Sequence, residues 1–269
     1  MKKYVYMVVS ALIFFSGCKE HYDLPSGVAS QSLLVVEGML NSGNEITNIR
    51  LSRSSSLNRS TDVQPELHAQ LKVEGSDSSS VPLADNGDGF YAAQLSLNPS
   101  ILYRLHIHTS NGTEYLSDFV PVKPTPDIDS LSWRQQDGNV IIFANTHDPQ
   151  NNTWYYKWDY TETWEILSSY NSYYKYENNQ VRRRIFPGEQ ALNCWKGNKS
   201  SNILLGSSIR LQSDVITEAP LLQIPNASEK IAVRYSILVR QYALTKEAYD
   251  FFQVMKRNTE NLGTIFDPQ

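Results

Sequence analysis

Hydrophobic and polar residues alternate with a period of two along most of this chain, the spacing of half-buried strands. Leu33-Leu34-Val35-Val36-Glu37-Gly38 reads as one strand, and the alternation from Ile46 to Ser52 reads as its hairpin partner. Residues 53–65 are rich in Ser and Arg without a period and read as a long loop. Leu67 to Val73 and Leu102 to His108 alternate cleanly. Asp85-Asn86-Gly87-Asp88-Gly89 is a dense turn signal ahead of Phe90-Tyr91, and Asn111-Gly112 is a hairpin turn ahead of Glu114 to Val120. These segments amount to about seven short strands, the pattern of a β-sandwich.

Pro121, Pro124 and Pro126 then interrupt the chain and read as a stiff link between domains. A second β series begins at Ile128. Ser130 to Trp133 and Asn139 to Ala144 form a hairpin about Asp137-Gly138, and Trp154 to Trp164 is a third strand. Ile185-Phe186, Ile203 to Ile209 and Lys230 to Val239 are later strand candidates. One helix is predicted over 246–260. Thr245 is its N-cap, Glu247 sits in its first turn, Ala248, Phe252, Met255 and Thr259 form one face, and Gly263 stands past its end. That helix is expected to cover apolar surface of the second domain. The fold class is therefore mainly β: two β-sandwich, immunoglobulin-like domains, over 31–122 and 127–269, with one α-helix in the C-terminal region.

The first seventeen residues break the alternation. Lys2 and Lys3 precede an apolar run from Tyr4 to Phe15, and then comes Phe15-Ser16-Gly17-Cys18. The run is too short to span a bilayer, which takes roughly 20 apolar residues. Lysines, a short apolar run and small residues before a cysteine make a bacterial lipobox, so residues 1–17 read as a signal peptide. Cys18 becomes the acylated, palmitate-bearing first residue of the mature chain. Residues 18–30, with Pro25, Ser26 and Gly27, read as the lipidated tether. Cleavage removes two lysines and no acid, so 22 cations face 28 carboxylates, a net charge of −6. That balance argues against a nucleic-acid partner. Apart from Cys18 there is one cysteine, Cys194, so no internal disulfide framework is available.

Ten aromatic residues fall between Trp154 and Tyr176. In a strand, Trp154, Tyr156, Trp158 and Tyr160 share a face, and that row reads as core, because aromatic rings bury large apolar area. Tyr170, Tyr173, Tyr174 and Tyr176 are flanked by Ser, Asn and Lys instead and form the candidate contact surface. The other candidates carry bland readings. Asp85 to Gly89 suggests calcium, but the spacing is that of a turn and not of an EF-hand loop. His106 and His108 share a strand face and lack a third metal ligand, so they read as the polar side of an exposed strand. His68 and His147 have no evident partner. Glu162 and Glu165 flank Trp164, but residues three apart in a strand point to opposite faces and do not converge as glycosidase carboxylates do. Cys194 reads as a buried thiol, and Arg182-Arg183-Arg184 as a solvated basic edge or a contact with an acidic partner. No Gly-x-Ser-x-Gly, His-Glu-x-x-His or phosphate-cradling loop is present. No catalytic residue, metal site or cofactor is expected, and the chain does not read as an enzyme.

Several segments together carry a family resemblance: Leu34 to Gly38; Gly87 to Tyr91 with the Tyr103 strand; Asn152 to Trp158 with Glu162-Thr163-Trp164-Glu165; Cys194-Trp195; Tyr235 to Tyr242; and Gly263 to Gln269. On these the chain resembles the Bacteroidota outer-membrane lipoproteins of domain-of-unknown-function family 4249. Lys19-Glu20 also resembles part of the signal that routes such lipoproteins to the cell surface. The resemblance implies a protein lipid-anchored in the outer membrane through Cys18, facing the cell exterior, with a TonB-dependent outer-membrane transporter as partner in nutrient capture or uptake. The alternative is a structural or adhesive envelope lipoprotein acting without a transporter. The family pattern continues past the Phe-Asp-Pro-Gln segment, which implies a second domain truncated after Gln269.

Overall fold

A computed structural model describes residues 32–43, 45–54 and 63–260. Cys18, the tether and Gly263 lie outside them. Among the described residues the chain is mainly β, with a single α-helix near the C-terminal end. It divides into two compact units between Val120 and Pro121.

The first unit holds β1 (Leu34–Gly38), β2 (Thr47–Arg53), β3 (Gln64–Pro65), β4 (Gln70–Gly75), β5 (Ser80–Asp85), β6 (Phe90–Ala93), β7 (Leu102–His108), β8 (Glu114–Leu116) and β9 (Val120–Pro121). They pair in the order β1-β2-β6-β5-β4-β7-β8, with β3 beside β2 and β9 beside β7. β5 links the halves, pairing with β4 along Ser80 to Leu83 and with β6 at Ala84 and Asp85. Alternation decides which side chains are buried. Ile49 and Leu51 of β2, Leu71 and Val73 of β4, Tyr91 of β6 and Tyr103 and Ile107 of β7 are all core. Tyr91 also satisfies a bend in the chain: its hydroxyl accepts from the Ala69 amide at 3.0 Å and donates to the Glu66 carbonyl at 3.0 Å.

The second unit stacks two sheets. β10 (Ile128–Gln136), β11 (Asn139–His147) and β17 (Val215–Pro225) form one. The β10–β11 turn places Asp137 and Gly138 at positive φ, 48° and 73°, the geometry of the tight hairpin that Asp-Gly favours. The other sheet is built on β12 (Tyr155–Leu167), thirteen residues long. One edge of β12 pairs with β16 (Leu204–Ser207) and then β15 (Asn193–Lys199), and the opposite edge pairs with β18 (Arg234–Ala243). A separate two-stranded hairpin, β13 (Tyr174–Glu177) and β14 (Gln180–Arg183), pairs with no other strand among the described residues.

Ala144, Tyr156, Trp158 and Leu221 form the buried centre between the two sheets, with Ile216, Leu222 and Val239 against it. Polar atoms there are paired. Trp158 Nε1 donates to Gln241 Oε1 at 2.7 Å, and Gln241 Nε2 donates to the Pro126 carbonyl and to Thr146 Oγ1, both at 2.9 Å. The Tyr156 hydroxyl and the Ser208 hydroxyl both donate to the carboxylate of buried Asp214. Burial, then Asp214, raises the Tyr156 phenol far above its ordinary range.

Helix α1 (Lys246–Glu260) begins where the sequence places it, and the Thr245 hydroxyl accepts from the Ala248 amide at 3.2 Å. It lies on β12 and β16 but contributes no buried residue, so it covers less apolar surface than its pattern suggests. Ala248, Tyr249, Phe252 and Lys256 face the protein, whereas Met255 is exposed. Ile185-Phe186 is not a strand but part of a turn closed by Glu189 N donating to the Ile185 carbonyl.

Candidate functional site

The four tyrosines singled out in the sequence lie on and beside the β13–β14 hairpin. Register decides its two faces. Tyr174 pairs with Arg183, Lys175 with Arg182, Tyr176 with Val181 and Glu177 with Gln180. Tyr174, Tyr176, Val181 and Arg183 therefore share one face, and Lys175, Glu177, Gln180 and Arg182 the other.

The second face is knit by charge. Arg182 holds Glu189 with both terminal guanidinium nitrogens, at 2.8 and 2.6 Å, and Glu177 through Nε at 2.9 Å. Lys175 Nζ reaches Glu189 at 2.7 Å and Glu177 at 3.1 Å. The Ile185 amide donates to Glu189 at 2.8 Å. Arg182, then Lys175, then this amide hold the Glu189 carboxyl well below the usual carboxylate range. Arg184 is tied down too, by Ser172 Oγ at 3.2 Å and the Glu189 carbonyl at 3.3 Å. The network fixes the hairpin from behind and leaves its aromatic face open. Tyr170 is 84% exposed, Tyr174 62%, Tyr176 71% and Val181 70%. Tyr173 is half-exposed and packs edge-on against Phe186, 6.0 Å between centroids.

The remaining candidates fall elsewhere. Tyr156 and Trp158 of the aromatic row are core. Glu162 and Glu165 do point apart. Glu162, 1% exposed, accepts from Lys230 Nζ at 2.6 Å and from the Tyr235 hydroxyl at 3.0 Å, whereas Glu165 accepts from Asn193 Nδ2 at 2.6 Å. Asp85 to Gly89 is a turn in which Asp85 Oδ1 accepts the Gly87 amide at 2.9 Å. Cys194 is exposed, not buried, because β15 lies at a sheet edge. His147 has a partner that its own stretch of sequence hides: Asp129 across the β10–β11 hairpin, 2.8 Å from Nδ1. His68 lies exposed, 4.0 Å from Asp85.

His106 is not on an open strand face. Its Nδ1 lies 2.9 Å from Glu74, which also meets Lys72 Nζ at 2.9 Å and Arg104 Nη2 at 2.8 Å. Glu114 stands 3.7 Å from Nε2. Lys72, His106 and Glu114 line a cavity of about 590 Å³ with Gln70, Pro82 and His108. His106, then Lys72 and Arg104, pull the Glu74 carboxyl down to about 2. Among the described residues, no group of three or more His, Cys, Asp or Glu side chains is placed to hold a metal ion. A second cavity, about 360 Å³ and apolar, opens between Leu131 and Trp133 of β10 and Tyr235 and Ile237 of β18. Sequence reasoning missed both cavities, since each is walled by strands distant in the chain.

No curated protein matches the chain. A family model does match, that of the domain of unknown function DUF4249, over residues 19–269, which includes both β units and the tyrosine hairpin. The chain belongs to the DUF4249 family.

Proposed function

We propose that the chain is a Bacteroidota lipoprotein, acylated at Cys18 in the outer membrane and displayed on the cell exterior. There it assists a TonB-dependent transporter in capturing or importing a nutrient. The observation that carries this reading is Phe15-Ser16-Gly17-Cys18 behind a short apolar run and two lysines, with Lys19-Glu20 directly after it. Membership of DUF4249 supports it, through the resemblance of that family to transporter companions. The rigid hairpin with exposed tyrosines supports a protein that acts by contact rather than by turnover, since Tyr and Arg are the side chains that anchor recognition surfaces. Tagged protein extracted from outer membranes in mild detergent is expected to carry a large β-barrel protein with it. Extraction without any barrel would overturn the transporter part of the reading and leave an envelope lipoprotein that works alone.

A further inference from the structure

The two faces of the tyrosine hairpin differ. Most of its ionic residues lie on one face and pair with one another, while its aromatic and aliphatic residues lie on the other. Both carboxylates of the segment, Glu177 and Glu189, are paired with Arg182 and Lys175 of the ionic face. The tyrosine face carries Tyr174, Tyr176 and Val181 with one cation, Arg183, which is exposed and has no ion-pair partner among the described residues. Tyr170 and Ile185 add exposed rings and methyls at the base. Charge is also concentrated here. Residues 170–190 hold four Lys and Arg against two Glu, in a chain whose net charge is −4.

We infer that the tyrosine face of β13–β14 docks on an anionic lipid bilayer. Tyrosine suits the boundary between acyl chains and headgroups, because its ring is apolar and its hydroxyl stays wet. Arg183 and the excess positive charge of the segment complement lipid phosphates, whereas the acidic remainder of the protein is repelled by them. Salt bridges across the opposite face tie the two strands together, so little order is lost when the tyrosine face meets the surface. With Cys18 acylated as proposed above, the bilayer is always within reach. The hairpin then acts as the second signal that a single attachment point lacks, and it sets which side of the protein faces the membrane.

The test removes the lipid anchor so that the hairpin acts alone. Full-length mature protein with Cys18→Ala is mixed with vesicles of phosphatidylcholine, with or without about one-third phosphatidylglycerol, and sedimented. Binding is expected to the anionic vesicles, to weaken with added salt, and to fall about tenfold in Tyr174→Ser/Tyr176→Ser and in Arg183→Gln. Melting temperatures of these variants should match the parent, since the three side chains are exposed. No binding to anionic vesicles, or equal binding by parent and variants, would overturn the inference. So would retention on an outer-membrane glycan without retention on vesicles. None of these outcomes depends on whether a transporter co-purifies.

Discussion

Trp158 shows how tightly a single position in the second unit is specified. Its side chain is 2% exposed, its indole donor is used by Gln241, and its ring lies against Gly206 of β16. A Cβ at position 206 would stand 2.5 Å from the ring, so the absence of a side chain there makes room for the indole. Gly206→Ala is expected to cost about 1–3 kcal/mol through overpacking, and Trp158→Ala about 3–5 kcal/mol through a cavity and a stranded Gln241. Chemical denaturation of both variants checks this. A Trp158→Ala protein that unfolds like the parent would remove the indole from the core. Glu74 is the corresponding position in the first unit. Its folded pKa of about 2 lies below the ordinary 4.5. A depressed carboxyl contributes stability above its unfolded pKa and loses it as pH falls toward the folded one. The first unit should therefore weaken between about pH 5 and pH 2, and Glu74→Gln should flatten that slope. Equal slopes for parent and variant in acid titrations of unfolding would show that Lys72, Arg104 and His106 contribute nothing through this carboxylate.

At the level of elements, what was legible in the sequence follows from how each strand is buried. β2, β4, β7 and β12 have one face inward, so their alternation is visible, as are the Asp-Gly and Asn-Gly turns between strands. β15 was not legible, because Asn193 to Lys199 is exposed along its whole length and nothing selects a pattern. β17 hid behind Pro220 and Pro225, which argue against a strand until its register with β11 is seen. The exposure of Tyr170, Tyr173, Tyr174 and Tyr176 was legible from their polar flanks. The ion-paired network on the opposite face of the hairpin was not, since Glu189 closes it from beyond β14. The helix teaches the reverse lesson: a clean amphipathic pattern did not lead to burial. Phe252 packs beside Lys157, whose ammonium lies 5.6 Å from the ring and whose pKa burial lowers. A carboxylate at position 252 would gain that cation as a neighbour and lose little apolar contact. Phe252→Asp is thus expected to cost under about 1 kcal/mol, far less than Trp158→Ala. A loss of several kcal/mol in thermal unfolding would show that α1 seals a core after all.

For the whole molecule, the question is what would hold it at a membrane if Cys18 is acylated as proposed. Among the described residues, no helix is long and apolar enough to cross one. The hairpin offers at most a peripheral contact: a few tyrosines at a headgroup boundary and one unpaired arginine. Lipid chains on Cys18 would dominate by comparison, because each buried methylene contributes ~0.8 kcal/mol and one acylated residue carries many. The two attachments should then separate cleanly. Cys18→Ala in cells, with the signal still cleaved, is expected to lose lipid labelling and to move the protein from the membrane fraction into the soluble fraction. Tyr174→Ser/Tyr176→Ser with Cys18 intact is expected to stay in the membrane fraction, while its hairpin becomes more open to protease at Arg183. A Cys18→Ala protein that stays membrane-bound would place the main anchor elsewhere. Adding the two tyrosine substitutions to it would then decide whether that anchor is the hairpin, if the protein is released, or a partner protein, if it is not.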